Sequence, residues 1–223
     1  MPEFDIAGVL RTISVFLIPG LFAITLHEVA HGWAARQLGD RTAEMLGRLS
    51  VNPLKHVDPV GTVLVPLASL VFTNFLFGWA KPVPVAFRNL RNPRRDMILV
   101  AAAGPAANFA MAAGWTLIWA ALNGTVGVRG GLTLWVASMC QIGVFFNVIL
   151  AVFNLLPIPP LDGGRVLTGL LPPAMARSFS RIEPFGVMVV LLLLVSGLLW
   201  PIMSPVLIWV NDFFVSFAGL GRR

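Results

Sequence analysis

Charge is what this chain has least of. Only 12% of its 223 residues are Asp, Glu, Lys or Arg, and 57% are hydrophobic. A soluble domain carries about 25% charged and about 45–50% apolar residues. With a mean hydropathy of +0.83, the composition excludes a soluble domain and points to a polytopic membrane protein. No long polar stretch is present to hold a second core, so residues 1–223 are expected to form one domain. Cysteine is nearly absent. Cys140 stands alone in an apolar stretch, which excludes a disulfide framework and a cysteine-based zinc site and leaves a packing role. No signal peptide is expected, because Glu3 and Asp5 replace a basic region and Arg11 interrupts the apolar run. The excess of 16 Lys and Arg over 10 Asp and Glu does not point to nucleic acid. The basic residues fall in loops between apolar runs, where they set topology and meet anionic lipid.

Apolar runs mark membrane-embedded segments near 7–35, 60–79, 97–122, 132–157 and 184–217. They predict an all-α polytopic bundle of about 4–6 membrane segments. Pro19-Gly20 predicts a kink in the first helix, and Gly39-Asp40 a stop. Residues 43–51 read as a short hairpin or strand pair near the cytoplasmic side. Lys81-Pro82-Val83-Pro84-Val85 must be extended, since proline fixes φ and keeps its predecessor out of the helical region. The small residues from Ala101 to Ala113 permit close helix approach in lipid. The last segment is too long for one span and short for two, with Trp200-Pro201 and Ser204-Pro205 as its breaks. The seven Trp and sixteen Phe are expected to face lipid or the interface.

Loops 36–59, 80–96 and 158–183 hold 12 of the 16 Lys and Arg, whereas 123–131 holds only Arg129. The first three should face the cytoplasm. If loops 36–59 and 80–96 share a side, segment 60–79 cannot cross, and it is expected to re-enter around Pro66.

Against this apolar background one polar cluster stands out. His27-Glu28-Val29-Ala30-His31 ends the run from Thr12 to Leu26. On a helix His27 and His31 share a face one turn apart, so both imidazoles can reach one Zn²⁺. Glu28 is placed to take a proton from zinc-bound water. Ionisable side chains in a span are costly and mark a functional site. His27 lies about 24 Å from Arg11 at 1.5 Å per residue, in the inner part of the bilayer. Catalytic zinc takes three protein ligands and keeps a position for water. Asp162 is the candidate third ligand. Pro157, Pro159 and Pro160 end the fourth helix at the depth of His27 and His31, and Gly163-Gly164 allows close backbone approach. His56, the remaining histidine, reads as a surface residue. Arg165 reads as an interfacial charge. Asn154 and Asn108 have structural readings as helix-end or interhelical hydrogen-bonding groups.

Taken with Gly104-Pro105-Ala106-Ala107-Asn108 and with Asn154 through Asp162-Gly163-Gly164, the H-E-x-x-H motif resembles the site-2 protease family of intramembrane zinc metalloproteases. The resemblance covers residues from about 20 to 170, in a compact form without a PDZ or CBS domain. It implies that His27, His31 and Asp162 bind one Zn²⁺ per chain, that Glu28 activates water, and that Asn154 helps position substrate. It also assigns Gly104, Pro105 and Asn108 to a family signature. The expected enzyme is a zinc endopeptidase acting in or near the transmembrane segment of another membrane protein. Its catalytic core should span about 7–170, followed by membrane segment(s) at 184–217. It is expected in a prokaryotic cell membrane as a multi-pass protein, with its site towards the cytoplasm. The sequence sets no oligomeric state. One rival is a metal-binding pseudoenzyme that holds clients, which an intact Glu28 disfavours. The other is a metal or proton transporter, which requires polar groups across the bilayer, and none are expected outward of the cluster.

Overall fold

Backbone polar groups in hydrocarbon have no water to bond, so an apolar chain of this kind must satisfy them within helices. The computed structural model describes residues 6–65, 81–128 and 130–217. It contains α1 (Ile6–Gln37), α2 (Thr42–Met45), α3 (Pro93–Thr125), α4 (Gly131–Asn154), α5 (Asp162–Leu170), α6 (Pro173–Ser180), α7 (Glu183–Val195) and α8 (Leu199–Phe217). Short 3₁₀ turns at Pro53–Lys55 and Phe87–Asn89 and a π-helical turn at Pro59–Leu64 connect them. Among the described residues four helices are long and apolar enough to cross a membrane: Arg11–Gln37 within α1, α3, α4 and α8. The pair α6 and α7 meets the same criterion only when taken together, and is bent by 63°.

Helices α1, α3 and α4 pack on one another, α5 lies against α3, and α8 covers α4. The close approach rests on small side chains, with Ala23, Ala101, Gly104, Ala112 and Ala151 buried at the crossings. A second apolar layer joins Val144, Val148 and Val152 of α4 to Leu199, Met203 and Leu207 of α8.

The connections gather at one end of the bundle. α1 stops where Gly39 takes a φ of +116°, a left-handed conformation that favours glycine. The Arg91 N–H donates to the Leu38 carbonyl (3.0 Å), and the Lys81 N–H to the His56 carbonyl (2.9 Å). Asp40 ties the corner together: its carboxylate accepts from the Thr42 N–H and hydroxyl, the Asn89 amide and the Ala86 N–H. Burial raises this carboxyl, but those hydrogen bonds outweigh it and hold the group below the usual carboxylate range. Arg94, in the first turn of α3, donates to the carbonyls of Gly169, Leu170 and Leu171, and so clamps the end of α5. At the far end the Trp135 indole N–H donates to the Ser14 hydroxyl (3.0 Å).

Several expectations need correction. Among the described residues there is no β-strand. The 43–51 stretch is not a hairpin: it opens in the helical turn α2, whose Thr42 N–H donates to the Asp40 carboxylate, and the chain leaves it at Gly47 with φ +63°. Its N–H groups bond within the turn instead, Leu46 to the Thr42 carbonyl and Arg48 to the Ala43 carbonyl, while the Arg48 guanidinium donates to the carbonyls of Lys55, Lys81 and Pro82. The last segment breaks at Gly197 (φ +73°), not at its prolines. Pro201 stands in the first turn of α8, where a missing N–H costs nothing. His56 is buried rather than superficial, with 2% exposure. Its Nε2–H donates to the Ser50 carbonyl (2.8 Å) as the connection folds over it. The re-entrant segment expected over 60–79 lies largely outside the described residues.

Candidate metal centre

Helix α1 presents His27 and His31 one turn apart on the face that meets α3, and α5 begins at Asp162. The three side chains converge. His27 Nε2 and His31 Nε2 are 3.1 Å apart, and each lies 3.2 Å from Asp162 Oδ2. All three residues are buried, at 5%, 8% and 6% exposure. Asp162 reaches them because α5 starts in a tight space. A Cβ on Gly163 would fall 2.2 Å from the Leu155 carbonyl oxygen, and one on Gly164 2.5 Å from Pro159 N. Residues 155–164 therefore fold closely enough to return the chain to α1.

The outer nitrogens of the imidazoles fix which inner atoms carry protons. His31 Nδ1 lies 2.7 Å from the Val100 carbonyl oxygen, which can only accept, so Nδ1 carries the hydrogen. His27 Nδ1 lies 2.6 Å from Asn108 Oδ1. The Asn108 amide nitrogen is committed elsewhere, donating to the Ala23 carbonyl (3.1 Å) and to Asn147 Oδ1 (2.9 Å). Its oxygen therefore faces His27, and His27 too is protonated at Nδ1. As neutral rings both imidazoles would aim an Nε2 lone pair at Asp162 Oδ2, a buried oxygen with no hydrogen-bond partner among the described residues. Three lone pairs meeting at 3.1–3.2 Å repel unless a cation sits among them. Ligands about 2.0–2.2 Å from a tetrahedral zinc lie about 3.3–3.6 Å apart, slightly wider than the spacing here. The donor set of two imidazoles and one carboxylate, its spacing and its orphaned oxygen fit a catalytic zinc.

Gly104 on α3 makes the room. A Cβ there would lie 2.4 Å from His31 Nε2 and 2.7 Å from His27 Cε1. This gives a physical reason for the glycine of the Gly104-Pro105 signature. Glu28 is half-buried beside His27, and its Oε2 accepts from the Val83 N–H at 2.8 Å. The 81–86 segment, neither helix nor strand, lies on α1 at Gly32, where a Cβ would meet Leu49 Cδ2 at 2.6 Å and Val83 Cγ1 at 2.7 Å. Arg165 sits with its guanidinium carbon 5.4 Å from the Phe87 ring centroid, joining α5 to the same segment.

The structure thus brings together His27, His31 and Asp162 with Glu28 adjacent. Asn154 is not part of that cluster. It is half-buried at the end of α4, and its amide donates to the Leu150 carbonyl of its own helix (2.9 Å). Asn108 is a direct hydrogen-bond partner of a ligand candidate. Asn147, fully buried behind it, was not anticipated. The one available signal was an amide amid the apolar run Ile142 to Phe153 of α4. The expectation that nothing polar continues outward of the cluster also needs correction, because Asn108 and Asn147 do so. They are neutral, and they bond to each other and to backbone carbonyls.

A helical bundle with membrane-length helices and a buried His-His-Asp centre defines a membrane metalloprotein, and known proteins narrow the class. The model of peptidase family M50 matches residues 122–197, which include Asn154 and Asp162. A Bacillus subtilis protein named "Putative zinc metalloprotease YwhC" is 36% identical over 189 residues, covering 82% of this chain and 83% of its own length. Proteins named "Putative zinc metalloprotease Rip2" from Mycolicibacterium smegmatis and Mycobacterium tuberculosis are each 29% identical, over 200 and 201 residues. Those alignments cover 89% of this chain and 74% and 73% of the relatives. No solved structure matches. The chain belongs to peptidase family M50, the site-2 protease family that its motifs resemble.

Proposed function

We propose that this chain is a zinc endopeptidase that cuts membrane-protein substrates in or near their transmembrane segments. The observation that carries the reading is the convergence of two imidazole nitrogens and a carboxylate oxygen within 3.2 Å, with a carboxylate on the residue after His27. His27 Nε2, His31 Nε2 and Asp162 Oδ2 would hold one Zn²⁺. When bound, zinc polarises the scissile carbonyl and makes water acidic enough to be deprotonated near neutral pH. Glu28 takes that proton and hands it to the leaving amine. The Val83 N–H orients the Glu28 carboxylate for this role, and the buried walls of α1 and α3 exclude bulk water. Asn154, at the helix end leading to Asp162, is assigned to substrate positioning.

A helical substrate hides its carbonyls, so it must unwind beside the site. The 81–86 segment is the element nearest Glu28 that could receive it. Pro82 and Pro84 donate nothing, the Val83 N–H goes to Glu28 and Arg48 takes the carbonyls of Lys81 and Pro82, so substrate is received there chiefly by the carbonyls from Val83 onward. Residues 38–56 and 81–94 gather at one end of the bundle with the Arg94 clamp on α5. From its Lys and Arg we assign that end to the cytoplasmic face of a cell membrane.

Quantitative proteomics of membranes from cells carrying the wild type or Glu28→Gln tests the activity. Substrates should accumulate at full length in Glu28→Gln, with their cleaved forms lost. Identical profiles under conditions where both proteins are expressed would sink the protease reading.

A further inference from the structure

Asn147 is buried in α4 with no exposed surface, and both ends of its amide are engaged. Its Nδ2 donates to the Gly143 carbonyl one turn back (2.8 Å), and its Oδ1 accepts from Asn108 Nδ2 (2.9 Å). A backbone carbonyl only accepts, so Gly143 decides which way the Asn147 amide faces. Asn147 must then present oxygen to Asn108. Asn108 must present nitrogen in return, and the same nitrogen also serves the Ala23 carbonyl (3.1 Å). Only the Asn108 oxygen is left for His27 Nδ1, at 2.6 Å. Each orientation forces the next, from a carbonyl of α4 through α3 to a ring nitrogen of α1.

We propose that Asn147 is a positioning residue that sets the polarity of the relay Gly143–Asn147–Asn108–His27 and so holds His27 in the neutral tautomer whose Nε2 can bind metal. The proposal rests on the reading of His27, His31 and Asp162 as a metal centre. Without Asn147, turning the Asn108 amide sacrifices one hydrogen bond, to Ala23. With Asn147 it sacrifices two and sets oxygen against oxygen. A turned Asn108 would donate to His27 Nδ1, drive the proton to Nε2, and remove a ligand. The competing role is simple adhesion of α3 to α4, which affects stability alone.

The test compares wild type, Asn108→Leu, Asn147→Leu, the double variant and Asn147→Asp, each purified in detergent. Zinc affinity is read by competition with a chromogenic chelator. The His27 tautomer is read from ¹⁵N spectra of histidine-labelled, zinc-free protein. Loss of a ligand's outer partner costs about 10–100-fold in metal affinity, so Asn108→Leu should fall in that range. Asn147→Leu, acting one step further out, should cost about threefold to tenfold. The double variant should bind no worse than Asn108→Leu, because Asn147 acts only through Asn108. Asn147→Asp, protonated among apolar helices, offers carbonyl to Asn108 and hydroxyl to Gly143, and should stay within about twofold of wild type. In zinc-free protein His27 should be Nδ1-protonated in wild type and a mixture in Asn147→Leu.

Unchanged affinity and tautomer in Asn147→Leu would overturn the relay while leaving the metal centre standing. So would additive losses in the double variant, or a folded Asn147→Asp that binds as weakly as Asn147→Leu is expected to. If the wild type takes no zinc, the metal reading falls by itself. The nitrogen spectra still decide the relay, which is overturned by a His27 tautomer indifferent to Asn147.

Discussion

Gly104→Ala adds one methyl group at the most crowded point of the centre. Its Cβ would lie 2.4 Å from His31 Nε2, 2.6 Å from His31 Cε1 and 2.7 Å from His27 Cε1. An ordinary carbon contact needs about 3.5 Å or more, so something must move by about 1 Å. Neither ring can swing away freely, since Nδ1 of His31 is bonded to the Val100 carbonyl and that of His27 to Asn108. Moving α3 away from α1 would break those same bonds. Overpacking of this kind costs about 1–3 kcal/mol of stability, which leaves room for a folded protein. The metal has less tolerance: a nitrogen displaced by about 1 Å from its usual 2.0–2.1 Å is no longer a ligand. Gly104→Ala is therefore expected to lose zinc affinity by at least about 100-fold, approaching loss of a ligand, while its thermal transition falls only modestly. Chelator competition on purified protein, beside thermal unfolding, reads both quantities. A Gly104→Ala protein that keeps wild-type zinc affinity would refute the geometry on which the centre rests.

Three further outcomes are expected. Asp40→Ala should destabilise the protein by about 2–3 kcal/mol, because it strands donors of Thr42, Ala86 and Asn89, and thermal unfolding should show it. The carboxyl of Asp40 is depressed on folding, so its contribution is complete above its unfolded value of about 4 and fades as pH falls through the lower folded value. The wild-type advantage over Asp40→Ala should thus persist at neutral pH and shrink only in stronger acid. Gly186→Val should weaken zinc retention without touching a ligand, since even a Cβ there would lie 1.8 Å from the Pro159 carbonyl oxygen, on the turn leading to Asp162; unaltered zinc binding would separate α7 from the centre. Single cysteines replacing Arg48 and Arg91, in a Cys140→Ser background, should resist an impermeant thiol reagent in intact cells and react after lysis. Reaction of the Arg91 position from outside would overturn the cytoplasmic placement.

Much of the centre was legible in the sequence because its chemistry is local. His27 and His31 share a helix face by spacing alone, and the prolines and glycines around Asp162 announce a tight return at a matching depth. The helices followed from apolar run length, and Gly39 from its place after the last helical residue. What was missed depends on tertiary partners. The burial of His56 arises from a connection folding over it. The absence of strands near 43–51 arises from local bonding, in which the N–H groups of Met45 to Arg48 go to carbonyls three to five residues back. The prolines at 201 and 205 looked like breaks, but one falls where a helix tolerates it, and Gly197 supplies the actual turn. Asn147 carries no motif, and its part emerges only when three helices meet.

Zinc content of purified wild type, Glu28→Gln and Asp162→Ala, prepared identically and measured per chain by elemental analysis, tests the central claim most directly. In the proposed centre three side chains hold the metal and Glu28 does not. Wild type and Glu28→Gln should therefore each retain about one zinc, and Asp162→Ala should retain little, since two ligands hold zinc poorly. Full zinc in Asp162→Ala, or its loss in Glu28→Gln, would contradict the assignment of ligands and base.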